Sequence, residues 1–284
     1  MDNTDEEGQP PTLMDTSSLF SEAMAGGVQA STLASKGSFD YFSPKHDLQH
    51  DYPTHGAPEV AVLGRSNVGK SSLVNSVLQK SLCITSKSPG RTQLPHYYGW
   101  RAHGAVRMDL SKTASTKSSG KDPSTVQGYI VDLPGYGFGN APTSVVEGWQ
   151  QNTQDWLLHR RHEAQVLKRL FLLMDARRDE PNDWDRTVLR WLEDAEIPYT
   201  IVLTKADRVS VPLVVKQVND FCLRYASQES EAEERMDDEG HVPFVAQSPV
   251  VHVTSSKRGW GIAELILSIE TEFFGEDELL ESIE

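Results

Sequence analysis

The sequence predicts an α/β protein with three layers: a mostly parallel sheet of about six strands, covered by helices on both faces. Two observations carry that prediction. Short apolar runs alternate with amphipathic stretches of helical period, which is the rhythm of parallel strands joined by crossover helices. The residues capable of binding chemistry also cluster just after the apolar runs, where open α/β sheets bind their ligands.

The first run is Glu59-Val-Ala-Val-Leu-Gly64, followed by a glycine-rich turn and then by Leu73, Val74, Val77 and Leu78 at helical spacing. Strands are expected near 97–108, 128–133, 170–175, 199–203 and 250–253. Helices are expected over 183–195, where Trp184, Val188, Trp191 and Leu192 share a face, and over 212–225 and 261–274. Residues 1–52 are rich in Ser, Thr, Gly and acids and read as a mostly disordered extension. The folded domain is assigned to 53–275, with inserted loops at 111–124 and 228–248, and 276–284 as an acidic tail.

The net charge of −14 is unevenly spread. Residues 60–227 hold 22 Lys and Arg against 16 Asp and Glu, a balance of +6, and the remainder holds 5 against 25, a balance of −20. The acid lies in terminal and inserted runs, so a mildly basic core carries solvated acidic segments. Cys83 and Cys222 have no metal-ligand spacing and read as free thiols of a reducing compartment. No apolar run approaches the roughly 18 residues of a membrane span. Residues 2–7 include four acids, unlike an Arg-rich transit peptide.

Gly64, Arg65, Ser66, Asn67, Val68, Gly69, Lys70 and Ser71 spell GxxxxGK[ST] between an expected strand and helix, with Ser72 following. Glycines let such a loop wrap phosphates, while its N–H groups and the helix start supply positive potential. Lys70 is expected on the β- and γ-phosphates, and Ser71 on Mg²⁺. Asp132-Leu-Pro-Gly135 ends the next suitable strand. There Asp132 would hold Mg²⁺ and the Gly135 N–H would sense the γ-phosphate. Two further DxxG matches, at 5–8 and 237–240, lie in acidic tracts and end no strand.

Thr204-Lys205-Ala206-Asp207 caps the run 199–203. A carboxylate there can accept from the guanine N1–H and exocyclic amine, which adenine cannot match. Ser255, Ser256 and Lys257 occupy the place of a base-binding loop, with a backbone N–H expected on the guanine oxygen. Thr92 lies in the polar loop after the first helix, where a switch threonine would close over Mg²⁺ and the γ-phosphate. Lys87 and Arg91 beside it are either phosphate-facing or solvated.

Together these stretches resemble the EngB (YihA) family of P-loop GTPases, in the translation-factor-related class. The resemblance runs from about 48 to 274. It is carried by the stretch from Gly64 to Asn75, by 85–93, by Val131-Asp-Leu-Pro-Gly-Tyr-Gly137 and by Leu203-Thr-Lys-Ala-Asp207, together with Trp149 and the stretch 172–177. It implies a Ras-like domain with GTP as substrate and Mg²⁺ as cofactor, and a monomer assisting assembly of the large ribosomal subunit on its rRNA. Eukaryotic members serve mitochondria or plastids. The expected compartment is therefore the mitochondrial matrix, with plastid stroma or cytoplasm as alternatives, and no membrane partner.

Lys70, Thr92 and Gly135 are the expected catalytic groups. The position after Gly135, where Ras-type enzymes carry a water-orienting Gln, is Tyr136, so slow intrinsic hydrolysis is expected. Asn67 resembles the asparagine that ligates K⁺ in related cation-activated GTPases, or else simply forms a turn. The cluster His159, Arg160, Arg161 and His162, with Lys168 and Arg169, reads either as an rRNA-phosphate surface or as an exposed cationic helix end. Asp179, Asp183 and Asp185 read as helix-start chemistry. Rival readings are a GTPase acting in tRNA modification or at a membrane, a fold-only interaction module and an ATPase; Asp207 disfavours the last.

Overall fold

Side chains alternate in direction along the fully buried strand that follows Pro58, and this sorts the whole protein into layers. Val60 and Val62 face one helical layer, and Ala61 and Leu63 face the other. The computed structural model describes residues 33, 37–43, 52–83, 94–103, 123–137, 143–237 and 241–281, with backbone alone at 143–150 and 276–281. Its strands are β1 (Gly37–Phe42), β2 (Glu59–Gly64), β3 (His96–Ala102), β4 (Gly128–Asp132), β5 (Leu167–Asp175), β6 (Tyr199–Thr204) and β7 (Gln247–Val253). The helices are α1 (Lys70–Leu78), α2 (Thr143–Leu158), α3 (Asp183–Asp194), α4 (Val211–Glu234) and α5 (Ile262–Glu281).

All seven strands form one sheet, in the order β1-β3-β4-β2-β5-β6-β7. From β4 to β7 every pairing is parallel, and β3 and β1 add antiparallel strands at one side. On one face α1 (Leu73, Val74, Val77) and α5 (Leu265, Ile266, Ile269) bury against Val60, Val62, Ile130 and Phe171. On the other, Leu157 of α2, Leu189 and Leu192 of α3, and Phe221 of α4 bury against Ala61, Leu63, Val131 and Leu172. Strands sandwiched this way are apolar on both sides, which is why they read as continuous apolar runs. Among the described residues no helix is long and apolar enough to cross a membrane.

Three expectations about the chain's organisation are corrected. The expected six strands become seven because β1 lies inside the stretch assigned to the extension. It pairs with β3 from Gly37 opposite Ala102 to Phe42 opposite Tyr97. Phe39 and Phe42 are buried on opposite faces, a two-residue apolar signal too short to stand out beside Ser38 and Asp40. Residues 228–234, expected in an inserted loop, continue α4, with Ala232 buried and Gln228 bonded to Glu193, and β7 starts at Gln247. Acidic residues tolerate a solvated helix well. The helical backbone of α5 also continues past Gly275, a non-helical break with φ +79°, into the expected acidic tail. Of the insertion at 111–124, only the 3₁₀ turn Pro123–Thr125 touches the described residues.

The basic cluster after α2 is corrected as well. A π-turn at His159–Glu163 rotates Arg160 inward, where it is 3% exposed. Its guanidinium donates to both carboxylate oxygens of Glu59, at 2.9 and 2.5 Å, and to the Pro53 carbonyl at 3.1 Å, with the Tyr52 ring 4.9 Å away. Arg169 pairs with Glu272, His159 with Glu163, and Arg161 lies over Phe244. Most of these cations are thus committed within the chain. Lys168 and His162 remain exposed, though His162 contacts the Ala195 carbonyl. Removing Arg160 would leave a fully buried carboxylate without its counter-charge. Arg160→Leu should lower the unfolding free energy by about 3–5 kcal/mol in urea titrations. Adding Glu59→Leu should recover most of that loss, and no recovery would mean that packing rather than charge is at stake.

Candidate nucleotide site

Four loops leave the C-terminal ends of β2, β4, β6 and β7, and their contacts bring them together. Gly69 caps α1 with φ +111°, a conformation that only glycine adopts freely, so the chain turns from the phosphate loop into a helix within one residue. The first-turn amides of α1 have no intrahelical acceptors and point towards the loop's concave side. Asn67 is exposed and left-handed at φ +66°, which suits the turn-forming reading and leaves its carboxamide free of the core. The amides of Ser66 and Val68 are spent inside the protein, on Tyr136 O at 2.9 Å and Arg65 O at 3.0 Å. Donors to a phosphate must come from Asn67, Gly69 and the start of α1.

The Asp132–Gly135 turn is held against this loop. A Cβ on Gly135 would lie 2.8 Å from the Gly64 carbonyl oxygen, so only glycine fits. The next residue, Tyr136, donates its N–H to Gly64 O at 3.2 Å. Lys70 Nζ pairs with Asp132 Oδ1, and both side chains are almost wholly buried. The structure therefore places the expected phosphate ligand beside the expected metal ligand. Among the described residues no three His, Cys, Asp or Glu side chains gather as a metal site. One strand-end carboxylate, paired with the lysine that directly precedes Ser71, suits a hard cation taking its other ligands from phosphates and water, as Mg²⁺ does.

Thr204 Oγ1 donates to Val68 O at 2.8 Å and to Met174 O at 3.1 Å, tying the end of β6 to the phosphate loop. Lys205, left-handed at φ +60°, lays its chain across the same loop and donates to Asn67 O at 2.6 Å and to Asp175 Oδ2 at 2.8 Å. Burial pushes the Asp175 carboxyl up, but hydrogen bonds from Arg177 and Lys205 outweigh it and hold the group well below the usual carboxylate range. Asp175 was not among the expected site residues. Its position, an acid ending a strand as Asp132 does, was the available signal.

Asp207 Oδ1 accepts from Ser255 Oγ at 2.7 Å, and that bond holds its carboxyl below the usual range. Ser255 thus acts on the acid rather than on the base. Its own N–H donates to Trp260 O at 3.0 Å, which leaves the amides of Ser256 and Lys257 for the expected contact to a guanine oxygen. Ser256 and Lys257 do face the site. With Gly69, Ser72, Lys205 and Asp207 they line an open cleft of about 380 Å³. Gly69, the residue before Lys70, and Asp207 therefore line one cleft. Thr92, Lys87 and Arg91 lie outside the described residues.

Residues 59–205 match the family model of the 50S ribosome-binding GTPases. A probable GTP-binding protein EngB of Chelativorans sp. (strain BNC1) is 37% identical over 218 residues, covering 76% of this chain and 81% of the relative. That of Rhodospirillum rubrum is 37% identical over 211 residues, 74% of each chain. The chain belongs to the EngB family of GTPases. Among solved structures, Aquifex aeolicus Era bound to GDP and aluminium fluoride aligns with a TM-score of 0.50 at 15% identity. That alignment covers 77% of this chain and 57% of Era and speaks to the fold alone.

As an EngB-family GTPase, the chain hydrolyses GTP. In Asp207→Asn an amide N–H₂ would face donors where a carboxylate accepted them. We expect this change to weaken GTP binding by roughly 10²–10⁴-fold while leaving the thermal melting point within a few degrees. Equal affinities of the two proteins in a fluorescent-nucleotide titration would remove Asp207 from the base site.

Proposed function

We propose that this GTPase is a switch that binds a large ribosomal subunit particle in its GTP form and leaves after hydrolysis, assisting late assembly in the mitochondrial matrix. The observation that carries the reading is the match to ribosome-binding GTPases across the nucleotide-binding half of the domain, together with EngB relatives matching most of the chain. The organellar assignment rests on the N-terminal extension and on the segments 111–124 and 228–248, which are longer than the compact pattern that the EngB resemblance implies. The protein acts as a monomer off the particle, with rRNA as partner and no membrane contact.

In this reading Lys70 exchanges Asp132 for the β- and γ-phosphates, and Asp132, Ser71 and Thr92 become the Mg²⁺ ligands. These residues would hold Mg²⁺, which would supply positive charge against the charge that develops on the phosphates. The Gly135 N–H faces the γ-phosphate, Asp207 and the Ser256–Lys257 backbone hold the guanine, and Lys205 braces the loop between them. Tyr136 does not orient water, because its side chain is buried in the core. Intrinsic turnover is therefore slow and depends on a partner or ion.

Two experiments test the reading. Lys70→Ala, which weakens the grip on the γ-phosphate, is the variant to compare with wild type for particle association. Wild type loaded with a non-hydrolysable GTP analogue should co-sediment with large subunits from fractionated mitochondria, whereas the GDP form and Lys70→Ala should not. Equal sedimentation of all three, or association with another particle or compartment, would end the proposal. Asn67 is proposed to hold K⁺ near the leaving oxygen, doing an arginine finger's electrostatic work. The initial rate should be at least tenfold higher in K⁺ than in Na⁺ if that electrostatic term is supplied, and equal rates would exclude it.

A further inference from the structure

The position after Gly135 carries the least expected geometry of the site. Tyr136 is 1% exposed, and its ring packs in the core among the side chains that α2 and α3 bury. Its backbone is bonded to the phosphate loop on both sides: N–H to Gly64 O at 3.2 Å, and carbonyl from Ser66 N at 2.9 Å. Its hydroxyl donates to Asp185 Oδ1 at 2.8 Å, inside the protein. Asp185, 5% exposed, is the third residue of α3, and its other oxygen accepts from the Asn182 N–H at 3.1 Å. Asn182 Oδ1 in turn accepts from the amides of Trp184 and Asp185, at 2.9 and 3.1 Å, closing a capping box. One continuous line of hydrogen bonds thus runs from the phosphate loop through residue 136 to the first turn of α3.

We infer that Tyr136 is a positioning residue: it fixes the Gly135 amide in place for a γ-phosphate and couples that amide to the start of α3.

Three constraints converge on this residue. Gly135 cannot back away from Gly64 without breaking the two backbone bonds at 136, and the space beside it is so narrow that a Cβ there would lie 2.8 Å from the Gly64 carbonyl oxygen. Residue 137 is left-handed at φ +75°, so the chain leaves the turn in a fixed direction. Burial and the neighbouring Asp185 carboxylate push the phenol well above its ordinary range, so it stays a neutral donor at any working pH. A Gln at this place in other P-loop GTPases is free to orient water. Here the same position is anchored at three points, so the side chain positions the turn and touches neither water nor phosphate.

A GDP molecule has no γ-phosphate for Gly135 to meet, so the coupling should affect GTP and not GDP. The inference concerns the GTPase reaction itself and stands whichever particle or compartment the protein serves. Tyr136→Phe in the full chain keeps the ring and removes only the hydroxyl. Dissociation constants for GTPγS and GDP, with kcat and KM for GTP, give the readout. We expect GDP affinity within twofold of wild type and GTPγS affinity lower by about five- to tenfold, the scale of one lost charge-assisted hydrogen bond. Asp185→Ala should lower the GTPγS-to-GDP ratio to a similar extent, and the double variant should lower it no further.

A second measurement needs no variant. Hydrogen exchange on wild type should show residues 182–186 protected differently in the GTPγS and GDP complexes. An unchanged ratio in Tyr136→Phe, an equal loss for both nucleotides, or identical exchange at 182–186 in both complexes would overturn the inference.

Discussion

The Gly64 carbonyl and the turn at Gly135 touch, and most of the site follows from that contact. With no room for a Cβ at residue 135, the end of β4 lies directly on the end of β2, and residue 136 continues the pairing as an isolated bridge to Arg65. The phosphate loop and the metal-side turn are therefore one unit, built on two neighbouring parallel strands. A displacement of either loop by the width of a methyl group would need the sheet register to slip. That is costly when both faces of β2 and β4 are buried. The same crowding recurs at Gly64, where a Cβ would meet Leu173 of β5 at 2.9 Å. Three adjacent strands thus converge where phosphates would sit.

Charge in this site is held in pairs. Lys70 meets Asp132, and Lys205 and Arg177 meet Asp175. Buried charges without partners would cost several kcal/mol each, so a site built to receive a highly charged ligand must satisfy its groups in the ligand's absence or melt locally. The Lys70–Asp132 pair solves this by opposing the cation expected to take phosphate and the anion expected to take metal. A metal–phosphate couple offers each its replacement, so binding exchanges partners without stranding either charge. Asp175 plays a different part. Its two cationic partners keep it ionised, and it fixes the Lys205 ammonium across the loop at Asn67 O, which braces the base side of the cleft against the phosphate side.

What could be read from the sequence divides along physical lines. Strands buried on both faces announce themselves as unbroken apolar runs, and a Gly-rich loop at a strand end has few other uses. So β2, β4, β5 and β6 and the loops after them were legible. β1 was not, because an edge strand needs only alternate apolar residues, and Phe39 and Phe42 stand among polar neighbours. The acidic run at the end of α4 looked like a loop because acids favour solvent, yet solvent is also compatible with the outer face of a helix. Arg160 misled for a related reason. Spacing along a regular helix sets a face, and a π-turn changes that spacing, so an arginine in a cationic run became the partner of a buried Glu59. The side-chain links Tyr136–Asp185 and Lys205–Asp175 join residues 49 and 30 positions apart, and no local pattern encodes such pairings. Within the 255–257 loop the sequence does not say which amide is available, and only the folded turn shows that of Ser255 taken by Trp260.

The anchoring of Tyr136 also bears on why hydrolysis in this chain should need help. A fast enzyme of this class must hold the attacking water, and it must neutralise charge gathering near the leaving oxygen. The residue best placed by chain position for the first task has its side chain packed in the core and bonded to α3. Arg177, at the end of β5 beside the base loop, is one candidate for the second. Its guanidinium is already engaged by both oxygens of Asp175, at 2.8 and 2.6 Å, and swinging it towards phosphate would release that carboxylate and, with it, the brace on Lys205. Supplying the arginine in cis would therefore loosen the guanine side of the same pocket. The charge is more economically provided from outside, by an ion at the phosphate loop or by a bound partner such as the proposed particle, and hydrolysis would then be tied to the presence of that partner.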